Sequence, residues 1–144
     1  MSLVLDAAPL IALYDPTDDR RSAVQRVLRS EPGEIVVPAQ VTAEADHLLR
    51  TRFGSRPARA LLEDLSTERF RAFCLDATDY RLAAEYDRQY ADFDVGLSDL
   101  AIVVAAHRIS TNRLMTFDER HFRALRPLDG GSFVLLPADE AASG

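Results

Sequence analysis

Leu3-Val4-Leu5-Asp6-Ala7-Ala8-Pro9-Leu10-Ile11-Ala12-Leu13-Tyr14, near the start of the chain, carries the reading that decides the fold. Three consecutive apolar residues form a short run without alternation, as a strand buried on both faces requires. Pro9 suits the first turn of a helix, where its missing N–H costs nothing, so a helix is predicted to about Tyr14. Between strand and helix stands one acid, Asp6. The same order returns late in the chain: the apolar run Leu114-Met115-Thr116-Phe117, then Asp118, then a short predicted helix to Leu125.

Between these two units, strands and helices alternate. A helix is predicted from about Asp18 to Ser30, stopped by Glu31-Pro32-Gly33, and a strand over Glu34 to Val37, closed by Pro38. Helices follow over Gln40 to Arg52 and Pro57 to Ser66, then a strand over Phe70 to Leu75. Thr78 to about Ala91 reads as a helix with Asp79 and Glu85 outward, and Ser98 to Ile109 as a nearly all-apolar, buried helix. Phe133 to Leu136 is the last strand. This alternation predicts an α/β fold, a three-layer α/β/α sandwich around a mostly parallel five-stranded sheet. With 144 residues, no repeat and no long linker, the expectation is a single domain over 1–144.

Composition limits the function classes. Seventeen basic residues, all Arg, stand against 23 acids for a net charge of −6. That balance repels phosphates unless cations intervene. The lone Cys74 excludes an internal disulfide and a cysteine-based zinc cluster, and reads as a small buried hydrophobe. No run of about 18 apolar residues is present, and Met1 to Asp6 lacks the basic start of a signal peptide, so a cytoplasmic protein is expected. His47, His107 and His121 lack metalloprotease spacing, and His121 reads as a packing or surface residue. Phosphate-loop, dinucleotide-binding and nucleophile-elbow motifs are also missing.

Most acids, among them Asp18, Asp19, Glu63, Asp64, Glu85 and Asp87, fall where solvated helix faces are expected. Four do not. Asp6 and Asp118 follow strands, at the edge where open α/β sheets bind ligands, although each also suits an N-cap. Asp99 sits at the head of the most apolar helix, where it or Ser98 also suits a cap. Glu44 lies three residues after Val41 and four before Leu48, within the stripe Val41, Ala45, Leu48 and Leu49, so it is expected to point inward. An inward carboxylate needs a cation or an arginine partner. Clustered carboxylates raise one another's pKa, and all-oxygen donors favour Mg²⁺ or Mn²⁺, which can activate water against a phosphodiester.

The segments Val4 to Leu13, Val41-Thr42-Ala43-Glu44-Ala45, Gly96-Leu97-Ser98-Asp99-Leu100-Ala101-Ile102-Val103 and Thr116-Phe117-Asp118-Glu119-Arg120-His121-Phe122 together resemble the PIN-domain signature in order and spacing. Within that family the chain looks most like VapC-type toxins of toxin–antitoxin pairs. The resemblance implies a Mg²⁺- or Mn²⁺-dependent endoribonuclease with Asp6, Glu44, Asp99 and Asp118 as its acidic quartet. It puts Asp6, Asp99 and Asp118 on the metal, and Glu44 on water or a second ion. It also implies RNA as substrate, a cognate VapB-type antitoxin and a homodimer. Many members carry Thr or Ser after the first acid, where this chain has Ala7-Ala8. Asp92 and Asp94 lie near Asp99, which is preferred because it heads the buried helix. Arg108, Arg113, Arg120, Arg123 and Arg126 crowd the chain near Asp118, where they suit RNA phosphates, an acidic antitoxin segment or plain solubilising charge. The competing function is a non-catalytic PIN-like binding or assembly module. A receiver-like domain lacks its lysine here, and a dehalogenase-like phosphatase lacks its second Asp at Ala8.

Overall fold

Parallel strands β1 (Leu3–Leu5), β2 (Ile35–Pro38), β3 (Arg71–Phe73), β4 (Arg113–Met115) and β5 (Val134–Leu136) form one sheet in the order β3-β2-β1-β4-β5. The structure is a computed structural model and describes residues 1–140. The helices are α1 (Ala7–Tyr14), α2 (Arg21–Ser30), α3 (Ala39–Phe53), α4 (Ser55–Ser66), α5 (Ala77–Gln89), α6 (Leu97–Arg108) and α7 (Glu119–Ala124). None among the described residues is long and apolar enough to cross a membrane.

Central β1 explains the architecture. Leu3, Val4 and Leu5 are all fully buried, and successive strand residues point to opposite faces, so both faces of the sheet are covered by helices. The chain runs outward from β1 to β2 and β3, then returns to place β4 and β5 on the other side. The order therefore reverses between β1 and β4, and their carboxyl ends form the crevice in which open α/β sheets bind ligands. Val4 pairs with Leu114 and Leu5 with Met115, and the Asp6 N–H donates to the Met115 carbonyl at 2.9 Å. Asp6 and Thr116 thus emerge side by side. Helix α6, buried from Leu100 to Ala106, packs on β1 and β2 and begins at the same edge.

Several local expectations need correction. Helix α2 starts at Arg21, so Asp18 and Asp19 lie in the preceding turn, where Asp18 pairs with Arg20. Strand β3 is shorter than expected and lies at the sheet edge with Arg71 and Ala72 exposed. Cys74 follows it and is exposed rather than buried. Asp79 is 1% exposed, not outward. It closes a capping box with Asp76 at the start of α5 and accepts a 3.1 Å hydrogen bond from Arg108 at the end of α6. A first-turn acid folds back over its own helix end, so helical spacing alone misplaces it.

Candidate active site

One buried hydroxyl joins the acids that follow β1 and β4. Asp6 caps α1, with Oδ1 accepting from the Ala7 N–H at 2.8 Å. Its Oδ2 accepts from Thr116 Oγ1, also at 2.8 Å, and Thr116 is 1% exposed. The same Thr116 oxygen accepts from the Asp118 N–H at 3.0 Å. Asp118 in turn caps α7 through the His121 N–H. Capping and site placement are therefore not alternatives for either acid: each uses one oxygen as a cap while the carboxyl lines a cavity.

Asp99 differs. Helix α6 is capped by Gly96, at φ +85°, and makes no side-chain capping bond. A left-handed residue is needed there to turn the loop into the helix, which glycine supplies at no steric cost. Asp99, in the first turn, is left to face the cavity. Asp94 does not line that cavity and sits at φ +48° in the preceding loop. Glu44, expected to point inward, is exposed. Val41, Ala45 and Leu49 take the buried face of α3, Leu48 is half-buried, and Glu44 flanks them.

An open cavity of about 650 Å³ receives all four acids: Asp6, Glu44, Asp99 and Asp118, with Ala7, Ser98, Leu97 and Phe117 among its other walls. No basic side chain lines it among the described residues. The electrostatic consequence falls on the two most enclosed acids. Asp99 is pushed up to about 6, first by burial, then by the Asp6 carboxylate, with His121 pulling it down and Asp118 and Glu44 adding to the rise. Asp6 is also raised, again mainly by burial, against the lowering effect of the Thr116 and Ala7 hydrogen bonds.

Four acids lining one cavity beyond the strand ends of a parallel sheet give the geometry its family context. The PIN-domain family model matches residues 3–126. The chain is 34% identical over 135 residues to Ribonuclease VapC26 of Mycobacterium tuberculosis, covering 94% of this chain and all of that one. The chain belongs to the PIN-domain family.

Solved structures share the fold. VapC20 of M. tuberculosis, described as a sarcin–ricin loop cleaving toxin, superposes with a TM-score of 0.76 at 20% identity over 85% of this chain and 94% of its own. VapBC2 from Rickettsia felis, bound to a DNA fragment from its promoter, gives 0.68 at 14% identity, covering 94% and 97%. FitAcB from Neisseria gonorrhoeae gives 0.66 at 20% identity, covering 92% and 96%.

For a PIN-domain protein the question is whether these acids suit a divalent cation. Among the described residues no three such side chains already converge on one point. Mg²⁺, however, is usually held by one or two carboxylates and keeps several waters. An acid cavity without a basic wall, in which two carboxyls are pushed upward by burial and by neighbouring carboxylates, has the donor set and the unbalanced charge that such an ion satisfies. The residues fit.

Two residues in the site escaped the sequence reading. Thr116, immediately after β4, supplies the hydroxyl that Ala7 lacks; its only signal was a polar residue within the apolar run Leu114 to Phe117. His121, expected to pack or face solvent, brings Nε2 to 3.0 Å from Asp99 Oδ2, without the alignment of a hydrogen bond. Its position three residues after Asp118 on one short helix places it there. Of the five arginines near Asp118, most are engaged elsewhere. Arg108 pairs with Asp79, Arg113 with Glu31, and Arg123 with Glu119 and Asp139, while Arg126 donates to the Gly131 carbonyl. Arg120 alone of the five forms no ion pair or hydrogen bond among the described residues.

Proposed function

We propose that this chain, read as one PIN-like domain, is a Mg²⁺- or Mn²⁺-dependent endoribonuclease and the toxin component of a type II toxin–antitoxin pair. It hydrolyses RNA phosphodiester bonds at Asp6, Glu44, Asp99 and Asp118. The observation that carries this reading is that four acids from four separate segments line one cavity without a basic wall. The 34% identity to a protein named as a ribonuclease supports the same chemistry.

Asp6, Asp99 and Asp118 would hold the ion, which offsets charge on the scissile phosphate and makes water more acidic. Asp6 is fixed for this task by hydrogen bonds to both of its oxygens. Asp118 is held by its cap on α7 and by Thr116 beneath its backbone. Glu44, on α3 and exposed to solvent, orients water or accepts its proton. Asp99 accepts a proton readily near pH 6 when no cation is present, so metal binding and protonation compete there.

The partners follow from the same reading. RNA is the substrate and the cytoplasm the compartment, and a VapB-type antitoxin covers the acid cavity of a homodimer. The similarity in fold to the VapBC2 and FitAcB structures supports a partner of that kind.

The test is cleavage of a mixed pool of structured RNAs by purified protein freed of antitoxin, in Mg²⁺ or Mn²⁺ and in EDTA, beside Asp6→Asn and Asp99→Asn. Metal-dependent cutting that both substitutions remove is the expected result. RNA binding without cutting would favour a non-catalytic module. Cutting that survives EDTA or both substitutions would overturn the acid site.

A further inference from the structure

Beside the acid cavity lies a second depression of about 380 Å³, lined by Phe93, Asp118, Arg120, His121 and Ala124. Asp118 borders both, so the two share a wall. Phe93 is 47% exposed. Its ring is nevertheless held in place. Tyr90 meets it edge-on with centroids 5.7 Å apart, and Tyr90 packs on Tyr86 at 4.5 Å. Tyr86 is buried, and its hydroxyl donates to the Arg126 carbonyl at 2.7 Å. A ladder of three rings therefore runs from the core to the rim of the acid site.

The loop after Phe93 is braced as well. Val95 is buried, and the left-handed residues Asp94 and Gly96 flank it before α6 begins. The loop that delivers Asp99 to the cavity is thus the loop that displays Phe93. Arg120 lines the same depression and, of the five arginines crowded near Asp118 in the sequence, is the one without an ion pair or hydrogen bond among the described residues.

We propose that this depression is a nucleobase subsite. The base of a single-stranded nucleotide next to the scissile phosphate stacks on Phe93, while Arg120 meets a backbone phosphate. The inference rests on the ribonuclease reading and names where its substrate is gripped. A flat π-face with polar edges matches the lining, which combines one exposed ring with Asp118, Arg120 and His121. An apolar side chain of a protein partner fits worse, since only Phe93 and Ala124 would cover it. Stacking also resolves the charge problem of an acidic protein, because it adds affinity that does not depend on phosphate attraction.

The test is fluorescence-anisotropy titration of a labelled 12-nucleotide single-stranded RNA and of an abasic oligonucleotide with the same backbone. Ca²⁺ replaces Mg²⁺, and RNA integrity is checked on a gel. Phe93→Ala should weaken binding of the base-bearing RNA roughly 5- to 150-fold, the range of aromatic–base stacking, and leave the abasic ligand unchanged. Phe93→Tyr should bind like the wild type, and Phe93→Leu, apolar but without a ring, like Phe93→Ala. Arg120→Ala should weaken both ligands alike and lower the slope of log K against log salt by about 0.7.

Equal affinity of Phe93→Ala and wild type overturns the subsite, as does an equal loss on the abasic ligand, or wild-type protein that binds neither. Loss of antitoxin affinity with RNA affinity intact assigns the surface to a protein partner and overturns it too. The cleavage assay separates the two readings. Cutting lost in Asp6→Asn with Phe93 neutral removes only the subsite, whereas base-dependent binding through Phe93 without any cutting removes only the nuclease.

Discussion

Thr116 Oγ1 donates to Asp6 Oδ2 at 2.8 Å and accepts the Asp118 N–H at 3.0 Å. One hydroxyl, buried just after β4, orients the Asp6 carboxylate and holds the backbone that carries Asp118 on the neighbouring strand end. The residue after Asp6 is Ala7, so the adjoining strand supplies what the local sequence does not. Thr116→Val keeps the shape, leaves Asp6 Oδ2 without its donor and strands the Asp118 N–H. The expected outcome is a 10- to 100-fold loss of RNA cleavage, roughly what removing a supporting partner of a metal ligand costs. A loss of about 1–3 kcal/mol in urea unfolding should accompany it. Thr116→Ser should recover most of both. Wild-type cutting by Thr116→Val would remove the hydroxyl from the machinery.

Asp118 has two duties that substitutions can separate. Its side chain caps α7, and asparagine caps almost as well as aspartate. Asp118→Asn should therefore melt within a degree or two of the wild type yet cut RNA far more slowly. Asp118→Ala loses the cap as well and should cost about 1 kcal/mol in stability. If Asp118→Asn cuts normally while Asp118→Ala is merely less stable, the residue is a cap and nothing more.

The strand–acid–helix units at Leu3 to Tyr14 and Leu114 to Leu125 were legible because a short apolar run, a polar stop and a helix entry are local signals. Their alternation with helices made the parallel sheet legible too. Relations between distant residues were not. The Thr116–Asp6 bond spans 110 positions, and the His121–Asp99 approach depends on how α7 lies against α6. Glu44 lines the cavity, but its spacing suggested burial, whereas it is exposed beside the buried face formed by Val41, Ala45 and Leu49. Arginine crowding near Asp118 misled in the opposite sense, because sequence proximity hides that Arg108, Arg113 and Arg123 already hold acids from other segments.

Asp79 provides a structural control far from the chemistry. Helical spacing makes it an outward charge, whose replacement would change stability by less than about 0.5 kcal/mol. The structure instead buries it in a capping box and pairs it with Arg108. Asp79→Ala should cost about 1 kcal/mol, most of it from the lost hydrogen bond to the Asp76 N–H, since Asp76 itself still caps the helix and the pairing with Arg108, 44% exposed, is screened. RNA cutting per folded molecule should be unchanged. Thermal melts beside a single-turnover assay check both halves, and a neutral Asp79→Ala would contradict the buried position.

Asp99 links stability, pH and metal. Its pKa rises from 3.8 to about 6 in the folded protein, chiefly through burial. A carboxyl raised in this way binds its proton more tightly in the native than in the unfolded chain. Metal-free stability therefore falls as pH rises through the window from about 4 to about 6, and the cost is fully present above it. Asp99→Asn abolishes that cost. In EDTA at pH 7.5 the variant should melt several degrees higher than the wild type, and the gap should close as pH is lowered toward 4. Adding Mg²⁺ or Mn²⁺ should reverse the order, since a ligand at about 100 times its Kd contributes about 2.7 kcal/mol to the state that binds it, and the variant lacks one of the proposed ligands. A variant less stable than the wild type in EDTA would show that Asp99 holds the fold rather than a cation. A wild type indifferent to both metals would leave the raised carboxyls without the partner their arrangement requires.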